Sequence, residues 1–181
     1  AFILSGFYKD IKDYIIRGTV YDQPLAGYEG LWELNTNFNF SDGKAEGVEI
    51  GLLQPLGKLV PALEGFGFST NYTYVDSSFD DDVGDAGFGF PGSSKDNFNF
   101  IGFYEADYYA IRLAYTYRGS FFRTLGGTGS QGTSSRFSGA QEKLNLNVNL
   151  KPMKGVSVKL SAGNITGEKR RDFYGEESTF L

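Results

Sequence analysis

The amino-acid sequence predicts an all-β fold: an antiparallel, up-and-down fragment of a transmembrane β-barrel, about seven strands of a larger cylinder. Three observations carry that prediction. Apolar and polar side chains alternate over successive segments. Short and long connections between those segments take turns along the chain. Aromatic residues make up 17% of the 181 residues and glycines add 25 more, yet the mean hydropathy is only −0.29. A membrane barrel reconciles the last pair of values, because lipid-facing apolar residues alternate with lumen-facing polar ones and the average stays low. No stretch approaches the roughly 18–20 consecutive apolar residues that a spanning helix needs, so any crossing is made by strands.

In chain order, a strand ending near Gly18 is followed by a long one read from Glu33 to Gln54, with Ser41-Asp42-Gly43 as a bulge rather than a hairpin turn. Val48, Ile50 and Leu52 share one face of it and Glu49 takes the other. After a Pro/Gly-marked connection from Pro55 to Glu64, Phe66, Phe68, Thr70, Tyr72 and Tyr74 alternate with Gly67, Ser69, Asn71 and Thr73. Phe98, Phe100, Gly102 and Tyr104 then lead through Ala106-Asp107 into Ile111, Leu113, Tyr115 and Tyr117, whose alternates are Arg112, Ala114, Thr116 and Arg118. Leu144, Leu146, Val148 and Leu150 alternate with Asn145, Asn147 and Asn149, which are costly against a dry core and comfortable in a hydrated lumen. Lys151 to Gly155 makes a short connection to Val156, Val158 and Leu160, interleaved with Ser157, Lys159 and Ser161.

Long polar connections, Gly18 to Leu31, Phe79 to Ser94 and Ser120 to Ser138, separate these pairs. One end of the meander therefore carries tight turns and the other elaborated loops, the asymmetry of membrane barrels. Rings near strand ends, among them Tyr8, Tyr14, Trp32, Tyr74, Tyr104 and Tyr117, suit interfacial girdles. Seven strands cannot close on themselves, so the rest of the polypeptide is expected to complete the wall.

Composition narrows the chemistry. With no His and no Cys, the commonest general base and the thiolate ligands are missing, and neither an enzyme nor a cofactor is expected. Scattered Lys and Arg and a net charge of −5 argue against a nucleic-acid partner. No basic segment followed by an apolar run is visible, so an export signal is expected upstream.

Candidate ligand contacts lie in the loops: Tyr28, Trp32, Phe88, Phe90, Phe121, Phe122 and Arg123 stand at the mouth, where rings stack on sugars or apolar ligands. Asp76, Asp80, Asp81, Asp82 and Asp85 form an acidic cluster without the spacing of a calcium-binding loop, and are read as a solvated loop rather than a metal site. Gly126 to Ser130 is Gly-rich but lacks the Lys of a phosphate loop. Glu49, Glu105, Arg112, Arg118 and Lys159 fall on the lumenal parity.

Five segments in order carry a family resemblance. Phe7-Tyr8-Lys9-Asp10-Ile11-Lys12-Asp13, Ala45 to Ile50, Asn71-Tyr72-Thr73-Tyr74-Val75-Asp76-Ser77, Gly102 to Glu105 with Ala110 to Tyr115, and Gly163 to Arg171 resemble strand segments of TonB-dependent receptors, in particular their proteobacterial branch. The resemblance implies residues 1–181 to be part of one 22-stranded outer-membrane barrel. It further implies that lipid surrounds the barrel, that a plug domain sits inside it, and that a TonB box on the absent N-terminal part contacts the TonB complex. The function implied is active uptake of a small nutrient, carbohydrate slightly favoured over siderophore or cobalamin. A passive porin and a soluble β-sandwich binding domain are the alternatives from other classes. The tail departs from the pattern, which calls for one more strand ending in an aromatic residue after Leu181.

Overall fold

In a computed structural model, residues 1–80, 89–124 and 135–175 are described, with backbone alone for 18–21. Seven strands form one antiparallel sheet: β1 (Phe2–Pro24), β2 (Leu31–Pro55), β3 (Phe66–Phe79), β4 (Asp96–Glu105), β5 (Tyr109–Arg118), β8 (Gln141–Met153) and β9 (Val156–Ala162). Each pairs only with its neighbours in that order, so the wall is an open meander, and the predicted seven-stranded, unclosed sheet is what forms. Two short strands, β6 (Phe121–Thr124) and β7 (Arg136–Ser138), leave the wall between β5 and β8, and β10 (Asp172–Tyr174) follows β9.

Register separates the two faces. One row across the wall reads Phe2, Leu52, Thr70, Phe100, Tyr115 and Leu144, and another reads Phe66, Tyr104, Ile111, Val148 and Leu160. The opposite face reads Ser5, Glu49, Thr73, Asn97, Arg118 and Gln141, then Phe103, Arg112, Asn147 and Ser161. Glu49, Glu105, Arg112, Arg118 and Lys159 all lie on this second face, as their parity requires.

The apolar face is bare: Leu4 is 64% exposed and Leu160 56%. Among the described residues the buried apolar side chains are Ile16, Ala45, Phe90, Phe122 and Phe173, and no dry core underlies the wall. An apolar surface this extensive marks contact with another apolar phase, as expected of a transmembrane wall. Tyr8, Tyr72, Tyr74, Tyr104, Tyr109, Tyr115 and Tyr117 stand on that face toward the strand ends, as interfacial rings do. No described helix is long and apolar enough to cross a membrane.

Tight connections gather at one end. Ala106 donates its N–H to the Tyr109 carbonyl at 2.9 Å, and Gly155 turns the β8–β9 hairpin at φ +83°. The β2–β3 connection contains a 3₁₀ turn at Pro61–Leu63. The other end, called the loop end below, differs from expectation in two places.

First, the connection expected from Gly18 to Leu31 is mostly strand, because β1 runs on to Pro24 and its turn occupies 25–30. Beyond Asp42 the β1–β2 pair continues without β3, a two-stranded ribbon of roughly 35–40 Å at about 3.3 Å per residue. Only the β1 side of that ribbon, 18–24, reads as a connection in the sequence, because Gly18-Thr19-Val20-Tyr21-Asp22-Gln23-Pro24 carries no sustained alternation and ends in a turn-forming residue; the β2 side reads as strand from Glu33. Second, the expected loop from Ser120 to Ser138 contains β6 and β7.

The bulge expected at Ser41-Asp42-Gly43 lies within one continuous β2, and register slips on both strands there. Asp13, in the left-handed region at φ 50°, absorbs the extra length opposite it. Its N–H donates to Asp42 Oδ1 at 2.8 Å, and Lys12 pairs with Asp42 at 3.1 Å.

Candidate functional site

At the loop end a small second sheet faces the polar side of the wall. β5 ends where Gly119 donates its N–H to the Asp96 carbonyl at 2.8 Å, and the chain turns into β6. β6 pairs with β7 and β7 with β10, giving the order β10-β7-β6. Phe137 links the two outer strands, with ring centroids 5.8 Å from Phe122 and 5.6 Å from Phe173. Phe122 and Phe173 are buried, so three rings give this sheet a core of its own.

The chain reaches β10 through a turn fastened to the wall. Asn164 adopts φ 51°, donates its N–H to Asn145 Oδ1 at 2.8 Å, and accepts from the Glu168 N–H at 2.9 Å on its own Oδ1. An Asn tolerates that backbone and caps the turn with its side chain. Two further hydrogen bonds tie the loop end together: Gly92 N–H to the Phe122 carbonyl and Gly139 N–H to the Arg171 carbonyl, both 2.8 Å.

One carboxylate organises the charges. Asp172 accepts from Arg123 at 2.7 Å, from Arg136 at 2.8 Å and from Arg170 at 3.0 and 3.1 Å. Desolvation pushes the Asp172 carboxyl up, but hydrogen bonds led by the Arg170 guanidinium outweigh it and hold the group below the usual carboxylate range. The fully buried Ser138 hydroxyl lies close enough to reinforce that shift without making a full hydrogen bond. At the end of β5, Arg118 donates through Nε to Ser94 Oγ at 2.9 Å and through Nη2 to the Gly92 carbonyl, while its guanidinium lies 3.9 Å over the Phe121 ring.

Wall and second sheet border a half-open cavity of about 590 Å³. The wall contributes Arg118, Gln141, Lys143 and Asn145; the second sheet contributes Phe121, Arg123 and Ser138; and the return turn contributes Gly163, Asn164, Glu168 and Arg170. Its size is that of a small-ligand pocket and its lining is hydrogen-bonding and cationic.

The residues expected at the mouth are divided by the structure. Phe121 and Arg123 line the cavity together. Phe122, beside them in sequence, points the other way into the core of the second sheet. Phe90 is also buried, stacked on Tyr14 at 5.1 Å and set against Phe79 at 4.9 Å, with Gly43 beneath it. Tyr28 and Trp32 meet edge to face at 5.8 Å on the tip of the β1–β2 ribbon, apart from the cavity. Phe88, like Asp81, Asp82, Asp85 and the Gly126 to Ser130 segment, lies outside the described residues. Asp76 faces Lys95 at 3.8 Å, and among the described residues no three acidic side chains form a metal-binding group.

Gln141 and Lys143 were missed by reading the Leu/Asn alternation only from Leu144; carried two steps earlier, it puts both on the lumenal parity. Lys169-Arg170-Arg171 was not singled out among cations read as scattered, and nothing local says that its middle member returns to the mouth.

The family model described as TonB dependent receptor-like, beta-barrel matches residues 2–165. No curated protein and no solved structure matches the chain. The matched span covers all seven wall strands and stops short of Arg170 and Asp172.

Proposed function

The chain belongs to the TonB-dependent receptor β-barrel family, and from that premise we propose that it takes part in importing a small nutrient across a bacterial outer membrane, captured at the loop end and released inward with TonB-coupled energy. The family's barrels are outer-membrane transport receptors. The observation that most supports this reading here is the two-faced wall: a predominantly apolar face on one side, and on the other a polar face several of whose groups partner one another.

With short turns on the periplasmic side, as in other outer-membrane barrels, the loop end and its cavity face outward. The lumenal face below the cavity then suits a plug domain. Arg112 and Glu105 pair at 2.6 Å, and Ser157 and Ser161 donate to Asn149 and Asn147 at 2.9 Å, leaving a neutralised, hydrogen-bonding surface. Residues 1–181 act as a portion of one barrel domain completed by further strands.

A carbohydrate is the favoured nutrient class. Gln141 and the Nδ2 group of Asn145 offer amide hydrogen-bonding groups at the cavity, beside the half-buried ring of Phe121, while the Asn164 amide is committed to the Glu168 backbone. Uptake of labelled oligosaccharides in cells with and without the TonB partner tests the import reading. Accumulation that needs the partner supports it, and equal accumulation in both strains indicates passive diffusion instead.

A further inference from the structure

We propose that the loop-end cavity takes a ligand bearing carboxylate groups, so that the nutrient is acidic rather than neutral. This rests on the import reading and narrows its substrate class. The chain as a whole carries a net charge of −5, yet four cations, Arg118, Arg123, Lys143 and Arg170, line the cavity against the single carboxylate of Glu168. Including Asp172 and Arg136 beneath them leaves the same surplus of three positive charges. A concave wall with one sign of charge focuses its field on the space it encloses.

The three arginines are held in place. Arg118 is fixed by two hydrogen bonds and by the Phe121 ring, and among the described residues Nη1 has no hydrogen-bond acceptor. Arg123 and Arg170 are braced by Asp172. Lys143 stands on the lumenal face of β8 with no ion pair among the described residues. Arginine forks match the two oxygens of a carboxylate, and a lysine adds a point charge. A neutral ligand would leave the surplus without a counter-charge, whereas a ligand with two or three carboxylates would balance it. The amides of Gln141 and Asn145 would serve hydroxyl groups on the same molecule, which favours an acidic sugar as the carrier.

The experiment uses the whole receptor with its plug, purified in detergent and titrated calorimetrically. The probes are trigalacturonate, its fully methyl-esterified neutral form, and citrate as a carboxylate without a sugar. The acid should bind about tenfold or more tightly than the ester, a difference of roughly 1.4 kcal/mol, and raising salt should weaken only the acid. Lys143→Gln and Arg170→Gln should each weaken the acid and leave the ester unchanged, while Lys159→Gln, lower on the wall, should alter neither. Binding of citrate alone would keep the carboxylate assignment and remove the sugar. Equal binding of acid and ester, or no binding of either acid, would overturn the proposal. The import reading fails separately: acid that binds but accumulates equally without the TonB partner refutes import alone, and TonB-dependent uptake of the ester alone refutes the charge assignment alone.

Discussion

Arg123 and Asp172 meet at 2.7 Å although they lie 49 positions apart in the chain. Asp172 also holds Arg136 and Arg170, so the two outer strands and the middle strand of the second sheet, with the segment that leads into it, share one anion. Replacing it by Asn leaves three guanidinium groups facing one another without a counter-charge. Asp172→Asn should therefore loosen the second sheet while the wall stays paired. Proteolysis from outside intact cells should cut faster between Phe121 and Ser138, and the heat-modifiable migration that reports a folded barrel should be unchanged. Unchanged cleavage would show that the ring core of Phe122, Phe137 and Phe173 suffices without the anion.

The same carboxylate predicts a pH dependence. Its folded pKa lies below the ordinary value for Asp. Stability from such a group is fully present above the unfolded pKa, about 3.9, and is lost as pH falls through the lower folded value. The second sheet should hold from neutrality down to about pH 4 and open below it, read by the same proteolysis with an acid-active protease. The Asp172→Asn protein should show a flat profile in that window.

Gly47 and Gly51 stand on the same face of β2 but tolerate a side chain very differently. A Cβ on Gly47 would lie 2.2 Å from the Tyr74 carbonyl oxygen and 2.7 Å from the Phe7 ring, whereas one on Gly51 would meet nothing nearer than 3.7 Å. Gly47→Val should cost about 1–3 kcal/mol of overpacking and reduce the yield of folded receptor in the outer membrane. Gly51→Ala should leave the yield close to normal. Matched yields would mean that β2 and β3 separate more readily than their register suggests.

Leu146 and Asn147 are neighbours near the middle of β8 with opposite surroundings. Leu146 pairs with Leu113 and Ala162 on the apolar face, and Asn147 with Arg112 and Ser161 on the polar one. Leu146→Arg should cost about 2–4 kcal/mol if that face meets hydrocarbon, and assembly should fall accordingly. Asn147→Arg places the same charge toward water and should assemble well. Indifference to Leu146→Arg would remove lipid as the occupant of the apolar face.

Where two phases constrain a strand, its sequence records the fact. Leu144 to Leu150 alternates because one side meets lipid and the other water, and the five lumenal charges follow from the same parity. The bulge at Ser41 to Gly43 was legible from residues that tolerate irregular backbone. The strand from Gly18 to Pro24 was not, since those seven residues show no sustained apolar–polar alternation. The site was legible only in part. Phe121 and Phe122 look alike in sequence, and which one enters the cavity depends on β7, a three-residue strand too short to show a period. Arg170 reaches the cavity through pairing of β10 with a segment more than thirty residues upstream, which no local pattern encodes.

The order of the second sheet, β10-β7-β6, places an outer strand that follows β9 against a middle strand that precedes β8. Its loop-closure cost is met only after β8 and β9 have zipped onto β5 and brought those ends together. The second sheet should therefore close late, and a chain stalled with its final hairpin undocked would lack Asp172 between Arg123 and Arg136 and the Asn164 and Arg170 side of the hollow.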